Sequence, residues 1–292
     1  MRKQILGVIG GSGLYELPGI RDVQPVRVST PFGEPSDTLM RGRLGDVEVI
    51  FLPRHGVGHR LLPSEVPFRA NVFALKQLGA EFLVSIGAVG SLREQLAPGH
   101  VVIPDQFIDR TVARQSTFFD AGVVVHVSLA DPVCSVLADA VEVATRAAGG
   151  TVHRDGTYLC MEGPQFSTRA ESNMYRQWGA DVIGMTNWQE AKLAREAELC
   201  FASLALVTDY DCWKSDAEHV VIEEVLRILA ANAELAQRAV AGVAERLPAA
   251  RTCACATALQ NAIITNPAKI PSGTRERLAP LIGKYLSDEK HK

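Results

Sequence analysis

The sequence predicts an α/β protein: a single domain with a mixed, largely parallel central sheet flanked by helices. Three observations carry that expectation. Apolar runs of strand length alternate with helical periodicities along the chain, which is the pattern of a sheet covered on both faces. The 292 residues are 47% hydrophobic and 22% charged, a balance that fills one large core. No internal repeat, low-complexity tract or linker divides the chain.

The elements follow in order. "QILGVIGG" reads as a buried strand ending in a glycine turn, and "DTLMRGRL" and "VEVIFLPRHG" as the next strands. "PSEVPFRANVFALKQLGA" reads as a helix. Ser64 is its expected cap, and Val66, Ala70, Phe73, Ala74 and Leu78 fall on one face. "EFLVSIGAVGS" is a buried strand running into glycines, and "HVVIPDQFID" a strand into a loop. Next come a helix in "DPVCSVLADAVEVATRAAGG", a strand in "GTYLCMEGPQF" and a helix in "TRAESNMYRQWGA". "DVIGMTN" reads as a short strand, "WQEAKLAREAE" as a helix and "LCFASLALVTDYD" as the last strand. A long amphipathic helix covers "AEHVVIEEVLRILAANAELAQRAVAGVAERL", and the segment from Pro248 reads as helical and peripheral.

The formal net charge of −3 supplies no basic field for nucleic acid or an anionic membrane. The N-terminal apolar stretch breaks at glycines too early for a signal-peptide core, and no run approaches the ~20 apolar residues of a membrane span. A cytoplasmic location is expected. Of the six cysteines, Cys253 and Cys255 form a "CAC" pair, and no second pair or nearby histidine completes a zinc set. The pair is read as two small residues in a loop, with a redox pair or half of a metal site as the alternatives.

Polar residues collect where the strands end, which is where open α/β sheets bind ligands. "GGSG" offers backbone N–H groups and the Ser12 hydroxyl to an anion, without matching a P-loop or a dinucleotide fingerprint. In "RHG", Arg54 is a fork of donors suited to phosphate and His55 titrates beside it. In "EGPQFSTRAES", Ser167 or Thr168 caps a helix and Phe166 is a ring that stacks on a flat ligand. "GMTN" contributes Met185 and Thr186. Singly, each has a plainer reading as a turn, a cap or core. "TDYDCW" is harder to set aside, because Asp209 and Asp211 end a buried strand and an unpaired buried carboxylate is costly. A nucleobase with an exocyclic amine suits two such acceptors, and a raised carboxyl can protonate a leaving ring nitrogen.

Taken together, "IGGSGLY", "TPFGEPSD", "LPRHGVGH", "PGHVVIPDQFIDRT", "MEGPQFSTRAES" and "WGADVIGMTNWQEAKLAREAELCFASLALVTDYDCW" resemble the 5′-methylthioadenosine phosphorylases of the trimeric purine nucleoside phosphorylase superfamily, over roughly residues 5 to 240. The resemblance implies that phosphate cleaves methylthioadenosine to adenine and 5-methylthioribose 1-phosphate, with no metal or organic cofactor. It implies that Ser12, Arg54, His55, Thr186 and the Ala88 turn hold phosphate, and that Met185 lies against the ribose. Phe166 and Ser167 would line the base site, and Asp209 and Asp211 would receive N7 and the amino group. Ile222, Val225 and Leu226, which share one helix face, would form the methylthio pocket. His126 would reach that pocket from a neighbouring subunit of a homo-oligomer, a trimer or a pair of trimers. One departure stands out: Gly87 occupies a position where the family usually has a Thr or Ser against phosphate.

Other readings stay open on these residues. A phosphorylase for 6-oxopurine nucleosides such as methylthioinosine would face two acceptors with a third, which disfavours it. A methylthioadenosine hydrolase is raised by Gly87. A dinucleotide-dependent oxidoreductase fails the glycine spacing, and a nucleoside-binding protein without catalysis has no use for an acid at N7.

Overall fold

"ILGVIG" has no polar side chain, so it forms a strand whose five last residues are buried, β1 (Ile5–Gly10). The computed structural model describes residues 4–11, 17–214 and 222–286, with only the backbone of 222–226. β1 lies between β4 (Val47–Pro53) and β5 (Phe82–Ser91), parallel to both. β2 (Arg21–Val26) and β3 (Leu39–Leu44) extend that edge antiparallel. On the other side β5 pairs parallel with β11 (Cys200–Tyr210) along its whole length. β11 in turn pairs with β6 (Val101–Ile103), and β6 with β8 (Val152–Arg154). The far end of β5 meets β10 (Val182–Gly184), which leads to β9 (Thr157–Met161) and β7 (Gln106–Arg110). Among the described residues, eleven strands thus make one mixed, largely parallel sheet that branches at β5.

Helices cover both faces, as the alternation requires. On one face α2 (Ser135–Ala147) and α5 (Ile222–Ala244) pack Leu137, Val141, Ala239 and Val243 over the sheet. On the other, α1 (Phe68–Gln77) and α4 (Asn187–Glu196) contribute Val72, Phe73, Ala191 and Leu193. α3 (Arg169–Gln177) starts with a capping box in which Thr168 and Glu171 satisfy each other's backbone N–H.

One strand, β2, is unexpected, and three local expectations need correction. β2 is exposed and carries Pro25, so it has no apolar signature and survives as an edge strand. "HVVIPDQFID" is two strands, β6 and β7, because Pro104 between them donates no ladder hydrogen bond. Ser64 does not cap α1, whose N-cap is Pro67 with no side-chain bond. The segment from Pro248 is not peripheral. α6 (Ser272–Arg277) and α7 (Ala279–Ile282) bring Leu278 and Ile282 to the same buried cluster as Phe73 and Phe118.

Candidate active site

The branch in the sheet creates the site. β5 pairs with β1 only as far as Ser85, and with β10 only at Gly90 and Ser91. Between them, Ile86–Val89 keep β11 on one edge while the other edge opens. Arg54, following β4, fills this fork. It donates from Nη1 to Ile86 O at 2.8 Å and from Nη2 to Ser85 Oγ at 2.8 Å. Glu190 of α4 grips the same guanidinium, with Nε–Oε1 at 2.6 Å and Nη2–Oε2 at 3.0 Å. Burial opposes the charge of Arg54, and the facing Glu190 carboxylate more than restores it. Asn187 Nδ2 donates to Ser85 Oγ at 2.9 Å, and Ser203 Oγ donates to Asn187 Oδ1. Arg54, expected as a free fork, therefore spends most of its donors inside the protein. Glu190 and Ser203 escape a sequence reading because one lies on a helix face and the other in an apolar run, with no motif.

Gly87 and Ala88 line a cleft of about 140 Å³ with Gly11, Thr208 and Leu229. Ser12, next to Gly11, lies outside the described residues. Thr186 is the buried N-cap of α4 and makes no side-chain cap bond, so its hydroxyl is not committed to the helix. Helix N-termini favour anions through free N–H groups and the helix dipole. Burial holds the His55 imidazole near pKa 4, hence neutral at pH 7. Its Nδ1 lies 2.8 Å from Leu61 O, which assigns the proton to Nδ1 because a carbonyl can only accept. Nε2 is then an acceptor.

Asp209 and Asp211 stand at the end of β11. A β-bulge between Val207 and Asp209 sets Asp209 opposite Gly90. A Cβ on Gly90 would lie 3.3 Å from Asp209 Oδ1 and 3.5 Å from Asp211 Cβ, so the glycine makes room for both acids. Burial raises the Asp209 pKa, against the hydrogen bond from Thr208 Oγ1 and with repulsion from Asp211. Asp211 Oδ2 is buried and has no hydrogen-bond partner among the described residues. Trp213 Nε1 donates to Ser91 O at 2.8 Å, and Cys212 Sγ donates to Ser167 O at 3.2 Å, so the Phe166–Ser167 turn docks on the acid segment. Phe166 itself is 84% exposed in the single chain.

Met185 is positioned by a residue the sequence reading passed over. Arg114, with only 2% of its side chain exposed, donates to Met185 O, Glu162 O and, at 3.0 Å, Gln189 Oε1. It ties the "EGPQF" turn to the start of α4. Ile222, Val225 and Leu226 fall on the first turns of α5, and their side chains lie outside the description. His126 is exposed, in a segment bridged through Val125 to Ile263 rather than to the strand ends that carry the other residues.

The profile of the Phosphorylase superfamily matches residues 5–245. The chain belongs to this superfamily. S-methyl-5′-thioadenosine phosphorylase from Koribacter versatilis is 56% identical over 98% of each chain. The Geobacter sulfurreducens protein of that name is 54% identical over 97% of this chain and 100% of its own. A methylthioadenosine phosphorylase from an antarctic soil metagenomic library superposes with a TM-score of 0.90, at 48% identity over 96% of this chain and 99% of its own. An S12T variant of the Schistosoma mansoni adenosine/methylthioadenosine phosphorylase, in complex with methylthioadenosine, superposes with a TM-score of 0.78 at 37% identity, covering 88% and 96%. This member of the phosphorylase superfamily is a pentosyltransferase with the nucleoside phosphorylase fold, as the motifs led one to expect.

Proposed function

We propose that this phosphorylase cleaves S-methyl-5′-thioadenosine with inorganic phosphate, releasing adenine and 5-methylthioribose 1-phosphate. The observation that carries the reading is the Asp209/Asp211 pair: one acid raised by burial, the other with a bare buried Oδ2. Adenine offers each what it lacks. Asp209, holding its proton longer than an ordinary Asp, gives it to N7 as the C1′–N9 electrons move onto the purine. Asp211 Oδ2 accepts from the exocyclic amine. Phosphate attacks C1′ from the opposite face, so the forming C1′–O bond replaces the breaking C1′–N9 bond, and its negative charge stabilises the cationic sugar.

The phosphate would lie by Gly87 and Ala88, against Thr186, the α4 N-terminus, Ser12 and Nη1 of Arg54. His55, with Nδ1–H given to Leu61, would accept from the phosphate's own O–H at Nε2. Met185 would back the ribose, and Phe166 and Ser167 the base. Ile222, Val225 and Leu226 would meet the methylthio group, selecting it over a hydroxyl by about 1–3 kcal/mol. His126 would complete that pocket from a second copy of the chain, in a homotrimer or a hexamer. Phosphate is the co-substrate; neither metal nor organic cofactor enters this reaction scheme, and we place the protein in the cytoplasm.

Gly87 favours one second reading, a hydrolase on the same nucleoside. The test is a product assay on methylthioadenosine and methylthioinosine, each with and without phosphate. Phosphate-dependent adenine release with methylthioinosine a poor substrate is expected. Phosphate-independent adenine release would establish the hydrolase, and preference for methylthioinosine would overturn the carboxylate assignment.

A further inference from the structure

Four of the six cysteines meet far from the candidate active site. Cys134 is the N-cap of α2, Cys200 opens β11, and Cys253 and Cys255 flank Ala254 where a turn of 3-10 helix begins. Their four Sγ atoms all lie within 4.8 Å of one another, and Cys200 and Cys253 approach to 3.3 Å. Three of the four are buried and Cys253 is half-buried. The sequence hides this cluster, because the two partners of "CAC" come from residues more than fifty positions away that only the fold brings together.

We propose that Cys134, Cys200, Cys253 and Cys255 form a closed tetrathiolate site for one zinc ion. A tetrahedral Zn–S₄ centre with bonds of about 2.3 Å has S···S edges of roughly 3.8 Å. The observed sulfurs need move only by fractions of an ångström to reach that figure. Soft thiolates in a tetrahedral set select zinc over harder divalent ions, and four protein ligands leave no open position for catalysis. Binding is balanced without an oxidant: four thiols release four protons, and Zn²⁺ takes their place. Cys134 sits at the N-terminus of α2, a position that favours a thiolate.

The site has a structural task. Cys200 and Asp209 stand at opposite ends of β11, so the metal does not touch the chemistry. It would instead fasten the segment after Pro248 to α2 and the sheet. That segment delivers Leu259, Leu278 and Ile282 to the core, and bringing them there requires the chain to return across the molecule.

The test begins with full-length protein made in zinc-supplemented medium and purified under reducing conditions. Elemental analysis should find one zinc per chain. Titration with a mercurial should release it as four thiols react, and all six should react after denaturation with chelator. Cobalt(II) in its place should show thiolate-to-cobalt charge transfer and tetrahedral d–d absorption. Cys255→Ser should lose the zinc, while Cys212→Ser, outside the cluster, should keep it. A wild-type chain without stoichiometric metal overturns the proposal. That holds whether its intact mass is short of four hydrogens, as two disulfides require, or shows six free thiols.

Discussion

Glu190 holds Arg54 by two bonds, at 2.6 and 3.0 Å, inside a fork of the sheet where the side chains are 1% and 3% exposed. The pair joins α4 to β4 and, through Ser85, to β5. Removing one member leaves the other as an uncompensated buried charge, which costs about 3–5 kcal/mol. Glu190→Ala should lose stability on that scale in chemical denaturation, and its KM for phosphate should rise because Nη1 of Arg54 is no longer held at Ile86. A loss below about 1 kcal/mol would show that water reaches the fork and screens Arg54.

The raised pKa of Asp209 makes a directional claim about pH. Its proton is retained to a higher pH than on an ordinary Asp, so a rate that needs this proton falls as pH rises through the folded value. Asp209→Asn should slow adenine release by roughly 10²–10⁴-fold and remove that alkaline limb from the kcat profile. If the variant keeps the wild-type limb, the titrating group lies elsewhere. Gly90→Ala gives an independent check, since its methyl would press on Asp209 Oδ1.

Gly87 can be tested by restoring what it lacks. A Cβ there would meet only Arg54 Nη1 at 3.6 Å and Asn187 Nδ2 at 3.9 Å, ordinary contact distances. Gly87→Thr should fold normally and place a hydroxyl at the proposed phosphate site. The KM for phosphate should fall by roughly 10- to 100-fold at most, the order of one hydrogen bond to a charged group, about 1.5–3 kcal/mol. An unchanged KM would mean that phosphate does not pass this position.

These residues also show where the sequence was legible. The strand ends carrying Arg54, Gly87, Thr186 and Asp209 stand out because polar residues interrupt apolar runs there, and the fold class follows from the same alternation. Glu190 and Arg114 did not stand out, because a charged residue on an amphipathic helix or in a loop looks solvated until packing turns it inward. Gly90 was legible as a strand glycine but not as the space for two carboxylates, since that depends on a bulge one strand away. Cys134 and Cys200 gave no signal, as their nearness to Cys253 and Cys255 is a product of long-range topology.

Glu196 supplies a pH test of stability away from the site. It accepts from Thr117 Oγ1 and Phe118 N, both at 2.8 Å, and so fixes the turn that inserts Phe118 into the core. Burial nonetheless dominates and raises its pKa from 4.5 to about 7. Because the folded value lies above the unfolded one, the protonated form favours folding. Its contribution is complete below the unfolded pKa and is lost as pH rises through about 7. A shift of this size corresponds to about 3 kcal/mol. Thermal unfolding midpoints should therefore decline between pH 4.5 and 7 in the wild type, and Glu196→Gln should flatten that part of the curve while leaving the acid limb in place. Parallel curves for the two proteins would show that Glu196 stays ionised in the fold and that its two hydrogen bonds outweigh its burial.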